Sequence, residues 1–240
     1  MQNTGDWKPS KIIMVGESFK PNLKGIDIQS YYICDTFLDF YVKYIRDYSR
    51  GRLLDCGCGL VPYYEIYKDL VDESICTDWR NSLHNNKFVD VYSDLNERLN
   101  FEDRSFDTVL LTDVMEHIFN PGKLLAEIHR VLIPGGRVII AVPFLYRIHE
   151  EPHDYYRYTE YSLKRLCTDT GLEILKLEPY GGYFDVLFDT LNKVFIRKRF
   201  MLRLFMPLTS MVKKSFINRK INKAHKNKYP LGYILCAEKV

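Results

Sequence analysis

The run Pro143-Phe144-Leu145-Tyr146-Arg147-Ile148-His149-Glu150-Glu151-Pro152-His153-Asp154-Tyr155-Tyr156-Arg157-Tyr158-Thr159 gathers two histidines, three acids, two arginines and four tyrosines into one stretch. Imidazole titrates near neutrality, so His149 and His153 are the candidate proton acceptors. Arg147 and Arg157 could hold an anionic group, with Tyr146, Asp154, Tyr155 and Tyr156 completing an acceptor pocket. A structural reading stands beside this one: Asp154 and Arg157 pair to pin the loop, and the tyrosines pack beneath it.

A second constellation begins at Gly51-Arg52-Leu53-Leu54-Asp55-Cys56-Gly57-Cys58-Gly59-Leu60. An apolar run ends in an acid and then in two glycines one residue apart, as when a buried strand turns into a loop that a ligand can approach. The following helix offers unpaired N–H groups at its start. Asp55, Asp78, Asp94 and Asp113 each fall at or just past the end of a successive predicted strand, so all four are expected to face one crevice. Asp78 stands about 20 residues beyond the glycines, where a carboxylate accepts both hydroxyls of a ribose. Any one of these acids alone could be a turn or helix-cap residue.

The elements that must position these groups alternate. Residues 1–28 are expected to form an irregular arm with a short strand at Lys11 to Val15. An amphipathic aromatic helix follows from Gln29 to Tyr48, whose Tyr31 and Tyr32 could cap the pocket. Strands are expected over Ser74–Thr77, Phe88–Tyr92, Phe106–Leu111, Arg137–Val142, Leu172–Leu177 and Leu231–Glu238. Helices are expected over Pro62–Leu70, Pro121–Leu132 and Glu160–Thr170, and Pro134-Gly135-Gly136 reads as a turn. The alternation calls for a parallel sheet with helices on both faces, and ligands bind beyond the carboxyl ends of such strands.

The 240 residues suit one α/β domain with an elaboration: an arm and helix over residues 1–50, then the main domain over 51–240. Six scattered cysteines read as reduced, placing the protein in the cytoplasm. Cys56 and Cys58 lack a second Cys or His pair at zinc spacing, so no metal is expected there. Neither a secretory signal nor an apolar run near the roughly 20 residues that span a bilayer is evident. The chain has 34 Lys and Arg, twelve of them between Lys193 and Lys228, where there is no Asp or Glu. The remainder is therefore acidic, at about −9. Leu208, Met211, Val212 and Phe216 share a helical face within this basic stretch, which forms part of an insertion at about 183–228. Such a segment suits an anionic membrane surface on which it would lie, placing the protein peripherally on the inner face. A solvated helical lid and RNA binding are the alternatives, and no RNA-binding module accompanies the segment, which makes nucleic acid the weaker partner.

Taken in order, Leu53-Leu54-Asp55-Cys56-Gly57-Cys58-Gly59, Asp78, Asp94-Leu95, Phe106-Asp107-Thr108-Val109, Glu116-His117-Ile118 and Glu127 to Gly136 resemble a class I S-adenosylmethionine-dependent methyltransferase of the type 11 branch. The resemblance covers roughly Arg52 to Pro179. It implies a Rossmann-like seven-stranded sheet whose last strand is antiparallel, with S-adenosylmethionine as cofactor. It also implies that Asp55, Cys56, Gly57, Cys58 and Gly59 hold the methionine portion. Asp78 would take the ribose with Trp79 beside the adenine, Asp94 and Leu95 would border the adenine, and Thr112, Asp113 and Val114 would pass below the sulfonium. His117 is expected to orient the loop after the fourth strand. Val61 stands where the family often has a third glycine. Relatives with a similar Pro-His-Asp-Tyr-Tyr-Arg-Tyr run are frequent in polysaccharide synthesis, so the implied acceptor is a small molecule or glycan methylated on oxygen or nitrogen. A catalytically silent binding or scaffold member of the fold is the different-class alternative.

Overall fold

The computed structural model describes residues 1, 4–82, 87–225 and 228–240, without the side chains of residues 219 and 222–224. The arm forms a hairpin of β1 (Ile12–Val15) and β2 (Ser18–Pro21), more regular than expected, and leads into α1 (Tyr31–Tyr48). The main sheet then takes β3 (Arg52–Cys56), the short α2 (Tyr64–Tyr67), β4 (Glu73–Asp78), β5 (Val91–Tyr92), β6 (Phe106–Thr112), α3 (Pro121–Val131) and β7 (Leu132–Pro143). It closes with α4 (Glu160–Asp169), β8 (Leu172–Tyr180), three helices α5 (Tyr183–Phe195), α6 (Arg199–Lys214) and α7 (Phe216–His225), and β9 (Gly232–Lys239).

The seven strands lie in the order β5-β4-β3-β6-β7-β9-β8. Every pairing is parallel except those of β9, which runs antiparallel to both β7 and β8. This is the seven-stranded sheet with an antiparallel last strand that the resemblance implies. From β3 the chain goes outward to β4 and β5, then returns to place β6 on the other flank of β3. The crevice beyond the carboxyl ends of β3 and β6 is therefore the switch point where such sheets bind ligands.

Two cores sandwich the sheet, and the period of two along each strand assigns residues between them. Leu54, Val109, Leu111, Val138 and Ile140 pack on α3 and α4, while Leu53, Leu110, Ile139 and Ala141 pack on α1. α1 buries Tyr32, Ile33, Phe37, Tyr41, Tyr44 and Ile45 along one stripe. α3 starts where Asn120 caps the Lys123 N–H and Pro121 takes the first turn, and α4 starts at a reciprocal Thr159–Ser162 cap.

Three local expectations change. The expected strand Phe88–Tyr92 shrinks to Val91–Tyr92, because only Thr77 and Asp78 of the neighbouring strand pair with it. The expected helix Pro62–Leu70 shrinks to a single turn, and Val61 before it takes a positive φ of 49°. Pro134-Gly135-Gly136 is absorbed into the long β7, where an irregularity between Phe106 and Thr108 takes up the register.

Candidate active site

A cleft of ≈ 360 Å³ opens at the switch point. On one side it is lined by Asp55, Gly57, Cys58 and Gly59 after β3 and by Thr112 and Asp113 at the end of β6. Glu116, Tyr146, His149 and Glu150 line the opposite side, and the arm supplies Ser10, Lys11, Ile26 and Asp27.

The glycine loop is shaped by contact. Gly57 has φ 67°, and a Cβ on it would lie 2.5 Å from Val114 Cγ2, so only glycine lets the loop after β3 meet the loop after β6. Gly59 donates its N–H to Asp78 Oδ2 at 2.8 Å, and Trp79 donates to Asp78 Oδ1 at 2.6 Å. The carboxylate of Asp78 thus braces the loop from the end of β4, outside the residues that line the cleft. Asp55 is buried and accepts from Tyr67 Oη at 3.1 Å. No Lys or Arg pairs with it among the described residues, and burial pushes its carboxyl up to about 7 against the smaller opposing effect of the Tyr67 hydrogen bond. A buried acid that faces the cleft and has no cation paired with it among the described residues fits the ammonium of the methionine portion of S-adenosylmethionine.

The four strand-end acids are placed differently. Asp55 and Asp113 line the cleft, Asp78 supports it from behind, and Asp94 is exposed, closing its own turn by accepting from Asn96 N at 2.9 Å. Leu95 is in the core below α3. Cys56 and Cys58 are buried free thiols, and burial raises the Cys56 pKa well above the ordinary range. Tyr32 does not cap the pocket: its hydroxyl donates to Asp185 Oδ1 at 2.9 Å, fastening α1 to α5, and Ile33 and Phe37 reach the cleft instead.

The loop after β7 divides in a similar way. His149 and Tyr146 line the cleft, with ring centroids 5.1 Å apart. Exposed His153 lies against Trp79 at 5.4 Å and places Nδ1 3.0 Å from Tyr155 Oη. Arg157 grips Asp154 in a bidentate pair at 2.5 and 2.7 Å and donates to the carbonyls of Arg147 and Tyr156. That fork holds Asp154 down to about 2 despite the opposing effect of burial. The N–H groups of Tyr155 and Tyr156 donate to the Glu116 carbonyl, and the Tyr156 and Tyr158 hydroxyls to the carbonyls of Phe119 and Met115. The pairing of Asp154 with Arg157 thus pins the loop, and Arg147 stands exposed at its rim.

Sequence reasoning missed Lys11 and the chemistry of Glu116. Lys11 Nζ pairs with Asp113 Oδ2 at 3.0 Å, and Tyr41 donates to Asp113 Oδ1 at 2.6 Å. Glu116 carried a signal only as part of a family motif, whereas Lys11 carried none, its partner lying 102 residues away.

Residues 54–140 match a methyltransferase domain family. An uncharacterized protein of Methanocaldococcus jannaschii is 36% identical over 109 residues, covering 44% of this chain and 46% of that protein. A ubiquinone biosynthesis O-methyltransferase of Maricaulis maris is 30% identical over 134 residues, covering 51% of this chain and 53% of that protein. The chain thus spans about half the length of the curated relatives it matches. In fold it is similar to a SAM-dependent methyltransferase from Archaeoglobus fulgidus, with TM-score 0.56, 22% identity, and coverage of 84% of this chain and 91% of that one. The glycine loop, the switch-point cleft and these likenesses agree: residues 54–140 are similar to a methyltransferase domain, and the chain has the fold of solved SAM-dependent methyltransferases.

Proposed function

We propose that the protein methylates an oxygen or nitrogen of a small, glycan-type acceptor bound between the arm and the loop after β7. The observation that carries this reading is the cleft itself, whose one wall is the glycine loop with Asp55 and whose other wall is Tyr146, His149 and Glu116. Bound there, S-adenosylmethionine supplies a methyl group on a sulfonium, already a strong electrophile. The residues of the chain then have two tasks. Asp55 and the Gly57–Gly59 loop seat the methionine portion while Asp78 holds that loop in place through Gly59 and Trp79, and alignment of this kind is worth roughly 7–11 kcal/mol. A hydroxyl acceptor must also lose its proton, which happens where the cleft meets Glu116 and His149 and contributes about 10²- to 10⁴-fold. Tyr146 and Arg147 offer a ring face and a cation to the acceptor.

The test is calorimetry with S-adenosylmethionine, followed by transfer of labelled methyl to nucleotide sugars and glycan extracts. Binding lost in Asp78→Ala, together with labelling of a glycan fraction, is the expected result. Failure of the unaltered protein to bind the cofactor would leave a scaffold instead.

The insertion supports a peripheral membrane position. Phe200, Leu204, Leu208 and Met211 form an exposed apolar stripe along α6, flanked by exposed Arg197, Lys198, Arg199 and Arg203. Two of the basic residues are turned inward: Lys193 pairs with buried Asp189 beneath Tyr146, and Lys213 pairs with Asp185 at 3.1 Å. No helix among the described residues is long and apolar enough to cross a membrane, so the stripe would lie on the surface, each basic residue adding about 1 kcal/mol on anionic lipid. Flotation with phosphatidylserine vesicles at physiological salt checks this, and absence of the protein from the floated fraction would reject it.

A further inference from the structure

We propose that Glu116, His117 and His149 bind a divalent first-row transition metal ion, of the zinc class, at the acceptor end of the cleft. The binding claim stands by itself, and only its part in catalysis rests on the methyl-transfer reading.

Glu116 is the first reason. Its side chain is 0% exposed, and neither carboxylate oxygen has a hydrogen-bond partner among the described residues, although it lines the cleft. An unpaired buried carboxylate is expensive, and burial accordingly raises its pKa. Two imidazoles face it at distances that are too long for hydrogen bonds. His149 Nε2 lies 3.7 Å and His117 Nε2 lies 3.8 Å from Glu116 Oε1. Two donor atoms each about 2.0–2.1 Å from one tetrahedral ion stand roughly 3.3 Å apart. The two carboxylate–imidazole spacings thus need to shorten by only a few tenths of an ångström to suit an ion, and all three ligand atoms lie within 4.8 Å of one another.

The outward sides of both rings are the second reason. His117 Nδ1 is 2.8 Å from the His153 carbonyl oxygen, which fixes the proton on Nδ1 and leaves the Nε2 lone pair facing Glu116. His149 Nδ1 makes no hydrogen bond among the described residues, but lies 3.3 Å from Asp154 Oδ2, a carboxylate held by Arg157. His117, whose far nitrogen is held by a carbonyl, thus has the usual metal-ligating arrangement, and His149 has a carboxylate beside its far nitrogen. The two loops are also stapled together, by the Tyr155 and Tyr156 N–H groups on the Glu116 carbonyl and by Tyr158 on Met115. Among the described residues, this is the group of three or more His, Cys, Asp or Glu side chains whose ligand atoms lie within 4.8 Å of one another.

Two imidazoles and one carboxylate suit zinc, cobalt, nickel or ferrous iron, whereas magnesium and calcium prefer oxygen donors. Because Glu116 and His149 line the cleft, the open coordination positions face the acceptor. A hydroxyl placed there ionises near neutral pH, as water does on zinc. Its proton passes to solvent, the new oxygen–carbon bond forms, and the carbon–sulfur bond breaks with its electrons returning to sulfur. His149 then serves as ligand rather than as proton carrier, since one lone pair holds either a proton or the ion.

Equilibrium dialysis with Co²⁺ in excess Mg²⁺, read by metal content and by the visible absorption bands of bound cobalt, tests the site without any activity assay. The expected result is one cobalt per chain, displaced by Zn²⁺. Glu116→Gln and His149→Gln should each weaken binding at least 100-fold, while His225→Ala on the exposed surface of α7 leaves it unchanged. Removing a buried unpaired charge by Glu116→Gln preserves the fold, and calorimetry with S-adenosylmethionine on each variant verifies this. Substoichiometric cobalt on the unaltered protein, or an unaltered cobalt spectrum in Glu116→Gln, overturns the proposal. Cofactor binding without metal removes this inference alone, and metal binding without cofactor removes the methyl-transfer reading alone.

Discussion

The two walls of the cleft are built differently. The wall after β3 and β4 is an extension of the sheet: Gly57 and Gly59 turn within three residues of a strand, and their positions follow from the parallel register of Asp55 with Cys76 and Cys56 with Thr77. The facing wall is made of long excursions, the arm and the loop after β7, whose shapes come from polar clamps such as Asp154 with Arg157 and Lys11 with Asp113. One wall inherits its geometry from the core, and the other has to supply its own. Cofactor binding and acceptor chemistry should therefore fail independently.

The largest effect is expected from His149→Ala, which should lower methyl transfer by about 10²- to 10⁴-fold while calorimetric affinity for S-adenosylmethionine stays within about twofold. A parallel collapse of both would break the distinction between the walls. Next is Arg157→Ala, which leaves the Asp154 carboxylate, 2% exposed, without its fork and should cost about 3–5 kcal/mol in denaturant unfolding. The same pair sets an acid limit. Because Asp154 is held at about 2, below its value in the unfolded chain, its contribution is present above the unfolded value and disappears as pH falls through about 2. The slope of melting temperature against pH in that window should flatten in Asp154→Asn.

The other wall has the opposite sign. Asp55 is raised to about 7, so cofactor affinity should level off above pH 7 and fall roughly tenfold per unit below it, as proton and ammonium compete for one carboxylate. Without cofactor, the contribution of this group to stability is present below its unfolded value and declines as pH rises through about 7, which scanning calorimetry with and without ligand would resolve. An affinity independent of pH between 5 and 8 would remove Asp55 from the site. The smallest effect is expected from Trp7→Phe, which loses the indole hydrogen bond to the Val61 carbonyl at 3.2 Å and should cost about 0.5–1.5 kcal/mol by chemical denaturation.

The contrast between the walls also explains what could be read from the sequence. Strand ends and the glycine pair are local patterns, so β6 and α3 emerged within a residue of their bounds and β3 as the apolar run before the glycines, and Asp55, Gly57, Gly59, Thr112 and Asp113, which line the cleft, lie at those strand ends. Edge pairing is not local: β5 keeps only Val91 and Tyr92 because β4 offers it two partners, whatever the β-propensity of Phe88. Lys11 looked like one basic residue in an arm, and only the return of the chain 102 residues later supplies Asp113. Glu116 was visible as a residue, but its complete burial between two imidazoles is a property of the folded loops.

Val61 ties the two walls together. A β-branched residue with φ 49° is held in a conformation that costs roughly 1–2 kcal/mol, and the indole of Trp7 and the hydroxyl of Ser10 fasten the arm to the carbonyls of Val61 and Leu60 at that point. Both fastenings use main-chain carbonyls, so Val61→Gly would remove the cost of the turn and leave the arm attached.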